Sequence, residues 1–181
     1  MTPYRLVLIG IPIVGIPLII FIWWQRQTDF EATKHQAELI SEFGSHRIDT
    51  VRLANKVLVF RIKPPIGQPG GDIETYRVTA GPIEVTPETQ RNLQALLTTE
   101  QSYGWGYAKG CAPIYGVRLS FIRDSDQVDV NLCFDCDIAL FVHNSETTGG
   151  ANFDPSHDEL AKIAKQIFPD DGEIQKIPTS R

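Results

Sequence analysis

"GVRLSFIRDSDQVDVNLCF", Gly116 to Phe134, reads as a β-hairpin. Val117, Leu119 and Phe121 alternate with polar residues, Asp124 to Gln127 form the turn, and Val128, Val130, Leu132 and Phe134 alternate again. A period of two places such residues on one face of a strand, the signature of a half-buried antiparallel sheet. "IALFVH", Ile138 to His143, adds a third strand. Upstream, "TVRLANKVLVFRI", Thr50 to Ile62, gives one long strand or a hairpin about Ala54-Asn55-Lys56, and Pro64 to Gly71 is a loop. "IETYRVT", Ile73 to Thr79, is the next strand, broken by Gly81-Pro82, with "IEV" a short extra strand.

Helices flank these strands. Thr86 caps "TPETQRNLQALLTTE", Pro87 takes the first helical position, where its missing N–H costs nothing, and Leu93, Leu96 and Leu97 form the buried stripe. In "PSHDELAKIAKQIFP" the pair Ser156 and Glu159 fits a capping box, Leu160, Ile163, Ala164 and Ile167 face inward, and Pro169 stops the helix. Thr28 to Phe43 reads as a helix laying one apolar face on the sheet. Neighbouring strands with helices before and after them predict an α+β fold with an antiparallel sheet and flanking helices, over residues 28–169. Residues 170–181 are polar and are expected to fray.

The amino terminus sets the class. Leu6 to Trp24 is charge-free, bracketed by Arg5 and Arg26. As a helix it spans about 28 Å, close to a bilayer's hydrocarbon core. Pro12 and Pro17 interrupt its bonding, which membrane helices tolerate better than soluble ones. Trp23 and Trp24 belong at the membrane interface. No small-x-small cleavage site follows. Residues 1–27 are therefore read as an N-terminal transmembrane anchor, single-pass in the cell membrane, with the lipid bilayer as partner. The short leading tail favours an extracytoplasmic body. A net charge of −5 and no basic run point away from nucleic acid.

Three cysteines, Cys111, Cys133 and Cys136, leave several outcomes open. A zinc site would need a fourth ligand, His143 or His157. Cys133 and Cys136, three apart, converge only if the chain turns at Phe134-Asp135. A redox pair would open a helix, whereas strand and two aspartates surround this one. A disulfide from Cys111 to Cys133 or Cys136 suits an oxidising compartment, and buried or free thiols are the remaining outcome. Lys109-x-Cys111-x-Pro113, a period-two strand, then Leu132-Cys133-Phe134-x-Cys136-Asp137 resembles a loose group of small bacterial proteins without an assigned activity. The resemblance covers about Ile73 to Pro169. It implies a shared α+β domain, often behind an amino-terminal anchor, and no reaction.

"SYGWGYAKG", Ser102 to Gly110, puts Tyr103, Trp105 and Tyr107 at alternate positions, the best ligand contacts on sequence, against the plainer reading of rings packed on the core. Asp124, Asp126 and Asp129 lack the spacing, glycine and glutamate of a calcium loop. No acid–base pair, nucleophile elbow or phosphate loop assembles. The expected function is a membrane-anchored, non-enzymatic binding or structural domain of the bacterial envelope, with an envelope or protein partner. The alternative is a zinc- or thiol-dependent protein using Cys111, Cys133 and Cys136, and a hydrolase with a scattered site ranks third.

Overall fold

The computed structural model describes residues 37–67 and 70–179. The proposed anchor, with Trp23 and Trp24, lies outside them. Among the described residues no helix is long and apolar enough to cross a membrane. Leu39–Arg181 forms one compact unit.

Six strands build one antiparallel sheet: β1 (Lys56–Lys63), β2 (Arg77–Glu84), β3 (Val117–Arg123), β4 (Asp126–Cys133), β5 (Ile138–His143) and β6 (Glu146–Asn152). Their order is β2-β1-β3-β4-β5-β6, so β3 returns to pair with β1 and leaves β2 at the edge. The hairpin that opened the sequence reading forms as expected, with Val117 opposite Leu132 and Phe121 opposite Val128. Its turn is tighter than Asp124 to Gln127, because the ladder runs on to Arg123 opposite Asp126.

Helices α1 (Ser45–Arg52), α2 (Pro87–Leu97) and α3 (His157–Ile167), with the helical residues 39–43, pack on one face of the sheet. Phe43 is fully buried and its ring stacks on Phe141 at 3.9 Å between centroids. Thr86 caps α2 by accepting the Thr89 N–H, with Pro87 in the first turn. Leu93 and Leu97 are buried, while Leu96 is only partly so. The other face carries a smaller apolar cluster, Ile62, Ile73, Tyr76, Tyr115, Cys133 and Cys136, at the end where β4 finishes and β5 begins. Among the described residues, no apolar cluster covers the opposite end of that face.

Several expectations are corrected. Thr50 to Ile62 is neither one strand nor a hairpin: α1 runs through Arg52, and β1 starts at Lys56. Ile48 and Val51, three apart, turn to the core at helical spacing. Ile73–Thr75 is a 3₁₀ turn capped by Asp72, and β2 begins at Arg77. Gly81-Pro82 does not break β2, which pairs only with β1 and absorbs the pair in a local register shift. An edge strand can lose one donor on its free side. Ser156 forms no cap. Its hydroxyl donates instead to the Ser102 carbonyl at 2.9 Å. Residues 170–181 do not simply trail off: a short helix α4 (Gly172–Gln175) is capped by Asp171 and buries Ile174 against α3.

Candidate functional site

The open end of the outer sheet face forms a cleft of about 500 Å³. The alternation that turns Val117, Leu119, Val130 and Leu132 to the helices turns Arg118, Asp129 and Asn131 outward into it. Arg118 and Asn131 lie directly opposite across the β3–β4 ladder. Arg118 Nε donates to Asn131 Oδ1 at 3.1 Å, and Nη2 reaches the Ile73 carbonyl at 3.5 Å. Asp129 Oδ2 stands 3.9 Å from Arg118 Nε, and Gln127 Nε2 donates to Asp129 Oδ1 at 2.8 Å. The 3₁₀ turn at Ile73–Thr75 supplies a wall, and Asn144 and Ser145 of the β5–β6 turn supply the rim.

Asn131 is 1% exposed and its Nδ2 has no hydrogen-bond partner. The Arg118 donor fixes the amide orientation, since a flipped amide would set donor against donor. A buried donor left unmatched costs about 1–3 kcal/mol. The cleft thus carries the Arg118 guanidinium and two carboxylates, Asp129 and Glu74, with the spare Asn131 N–H just beneath its surface. It is suited to hold a polar group that brings its own acceptor, a carbonyl or carboxylate oxygen.

No family model, curated protein or solved structure matches the chain.

The cysteines sit at the other end of this face. Cys111 and Cys136 are joined in a disulfide. The turn at Phe134-Asp135 does occur, directly after β4. Cys133 is a fully buried thiol whose Sγ accepts the Ile114 N–H at 3.3 Å, and burial pushes its pKa up. His143 is not with them. It faces the helix side, 2.7 Å from Asp126 Oδ1, with His46 nearby. The four-ligand set of Cys111, Cys133, Cys136 and His143 is therefore not assembled. The disulfide ties up two of the thiolates, and the sheet separates the histidine from the third.

His157 is equally committed. It is 2% exposed, with Nδ1 on the Asp137 carboxylate and Nε2 2.8 Å from the Pro178 carbonyl. A carbonyl only accepts, so Nε2 donates to it, and with Nδ1 on the carboxylate neither ring nitrogen is left for a metal. Lys109 joins the group, donating to the Cys136 carbonyl and to Asp154 Oδ1, both at 2.7 Å. Burial would raise the Asp154 carboxyl, but Lys109 and the Tyr107 hydroxyl outweigh it and hold it below its ordinary range. This network clamps the segment around the disulfide to α3.

The aromatic stretch does not present one face. Tyr103 is buried and its hydroxyl donates to the Leu97 carbonyl at 2.9 Å, and that burial raises its pKa. Trp105 donates to the Glu100 carbonyl and packs against Tyr103 at 5.5 Å. Tyr107 is half exposed and donates to Asp154 Oδ2 at 3.0 Å. Trp105 and Tyr107 line a smaller hollow of about 320 Å³ beside Gly150 and Asn152.

Sequence reasoning missed Arg118 and Asn131, which it treated as the polar half of an alternation. One signal was present: asparagine is depleted in strands, yet Asn131 sits between Val130 and Leu132.

Proposed function

We propose that this chain is a membrane-tethered, non-enzymatic binding domain of the bacterial envelope, and that it engages its partner through the outer-face cleft. The observation that carries the binding reading is the Asn131 amide, buried in the wall of an open cleft with a donor to spare. A contact site keeps the amide because a partner's oxygen completes it. The Cys111–Cys136 disulfide supports the extracytoplasmic placement, since such bonds persist in oxidising compartments. The charge-free leader from Leu6 to Trp24 supports the tether.

A photo-crosslinking amino acid at Gln127, on the cleft, is compared in intact bacteria with one at Val78, exposed on the far edge strand. A discrete adduct from position 127 alone, lost on Asn131→Leu, is the expected outcome. Equal adducts from both positions, or none, would remove the cleft from the proposal. Alkaline carbonate extraction addresses the tether separately. The full chain stays with the membranes if the leader is an anchor and leaves with the supernatant if it is not.

A further inference from the structure

The end of the β4–β5 hairpin beneath α1 gathers three ligand-type side chains that the cleft does not use. Asp126 opens β4, His143 closes β5 and His46 lies in the first turn of α1. The strand alternation that buries Val128 and Phe141 on the helix side also sends Asp126 and His143 there. His143 Nε2 is 2.7 Å from Asp126 Oδ1, and His46 Nε2 is 3.8 Å from Asp126 Oδ2. One donor atom from each residue lies within 4.8 Å of the others. Thr50, one turn after His46 and buried, has its hydroxyl 2.5 Å from Asp126 Oδ2 and orients the carboxylate from behind.

We propose that His46, Asp126 and His143 form a binding site for a divalent transition cation of the zinc class. Two imidazoles and one carboxylate are a borderline donor set that suits zinc, cobalt or copper. Calcium and magnesium call for six or more oxygen ligands, which this corner does not supply. Bonds of about 2.0–2.2 Å to a tetrahedral ion set the donor atoms roughly 3.3 Å apart. The 2.7 Å contact of His143 with Asp126 Oδ1 therefore opens slightly, and His46, now nearest Oδ2, swings toward Oδ1 while Thr50 keeps Oδ2. Asp126 and His143 are held by the ladder, whereas the His46 side chain, 71% exposed and with its ring 5.5 Å from that of His143, has room to complete the set. That exposure leaves the fourth position to water. An ion pair of Asp126 with His143 would explain the short contact alone. It calls for neither a second imidazole nor a hydroxyl brace on the carboxylate, and such a brace behind a ligating carboxylate is a usual partner of metal ligands.

Bound metal would tie α1 to the end of the β4–β5 pair that lies away from its turn. The thiols take no part, because two are joined and Cys133 is buried on the other face. The test uses full-length, tag-free protein in detergent, stripped of metal and titrated with Co²⁺. The expected result is one cobalt per chain with the strong visible bands of four-coordinate Co²⁺, no thiolate charge-transfer band, and displacement by Zn²⁺. His46→Ala and His143→Ala should each weaken binding by about tenfold or more. His46 is exposed enough that its substitution leaves the metal-free melting temperature unchanged, so a lost signal in that variant reports ligation. No cobalt bands, or bands that survive His46→Ala unaltered, would overturn the proposal.

Discussion

Arg61 shows how much one side chain can be asked to hold. It is 6% exposed on a strand, yet every part of its guanidinium is engaged. Nη1 donates to the Ile62 and Gly116 carbonyls at 3.0 and 2.7 Å, Nε to Asp171 Oδ2 at 2.8 Å, and Nη2 to the Glu173 carboxylate. Arg61→Met removes the charge and orphans these acceptors. A stability loss of about 3 kcal/mol is expected from urea unfolding, the low end for a broken buried pair because both carboxylates can rehydrate. The same group makes stability acid-sensitive. Burial alone would raise Asp171, but the Ile174 amide and Arg61 outweigh it and hold the carboxyl below its usual range. The Lys63 ammonium, then Arg61, do the same for Glu173. Folded values below unfolded ones mean that the contribution is complete above about pH 4.5 and is lost as pH falls through the lowered values. The urea midpoint of the unaltered chain should therefore drop more steeply between about pH 4.5 and pH 2 than that of Arg61→Met. Parallel curves would show that the pair contributes little. None of this was visible in the sequence, where Arg61 is one polar residue in a strand and Asp171 lies 110 residues away.

Elements whose signals are local were legible. The β3–β4 hairpin follows from strict alternation, and α2 from Thr86 and Pro87. Thr86→Ala should cost about 1 kcal/mol by thermal or urea unfolding, since the Thr89 N–H then loses its acceptor. Elements set by their neighbours were not legible. "ETTGGAN", Glu146–Asn152, has two glycines and no apolar alternation, yet it is β6. It is a strand because β5 offers a free edge, and because Asn144 and Ser145, at φ of 53° and 62°, turn the chain back upon it. The glycines also serve the helical residues 39–43. A Cβ on Gly149 would stand 2.3 Å from the Glu42 carbonyl oxygen, a backbone atom that cannot move aside alone. Gly149→Ala should destabilise by about 1–3 kcal/mol, while a Phe43→Ala change that empties the stack on Phe141 should cost about 3–5 kcal/mol. Similar losses would indicate that the helix end and the strand yield as one unit. The α1 reading failed for a related reason: Thr50 to Arg52 has a strand-like composition, and only the i, i+3 burial of Ile48 and Val51 against the sheet decides for helix.

For the whole molecule the fold class was readable and the site was not, because the cleft and the His46–Asp126–His143 corner join residues from separate elements. The disulfide was one of several open outcomes, and spacing alone could not choose Cys136 over Cys133. Closing a loop with partners 25 residues apart is worth roughly 3.5 kcal/mol on chain-entropy grounds. Reduction should lower the melting temperature accordingly. Acid-quenched cells should yield protein that, once denatured, has only Cys133 open to alkylation until reductant is added. Finding all three cysteines reactive at once would withdraw the oxidising placement. The far-reaching bonds of Arg61 have a further effect during synthesis. Its counter-charges lie 110 and 112 residues further along the chain, so they reach it only after all six strands have been translated. A chain ending before Asp171, by a nonsense codon or by clipping, lacks the clasp, and limited proteolysis should cut it near Arg61 sooner than the longer chain. The α4 turn thus joins the first strand of the sheet to a segment that is read after all the others.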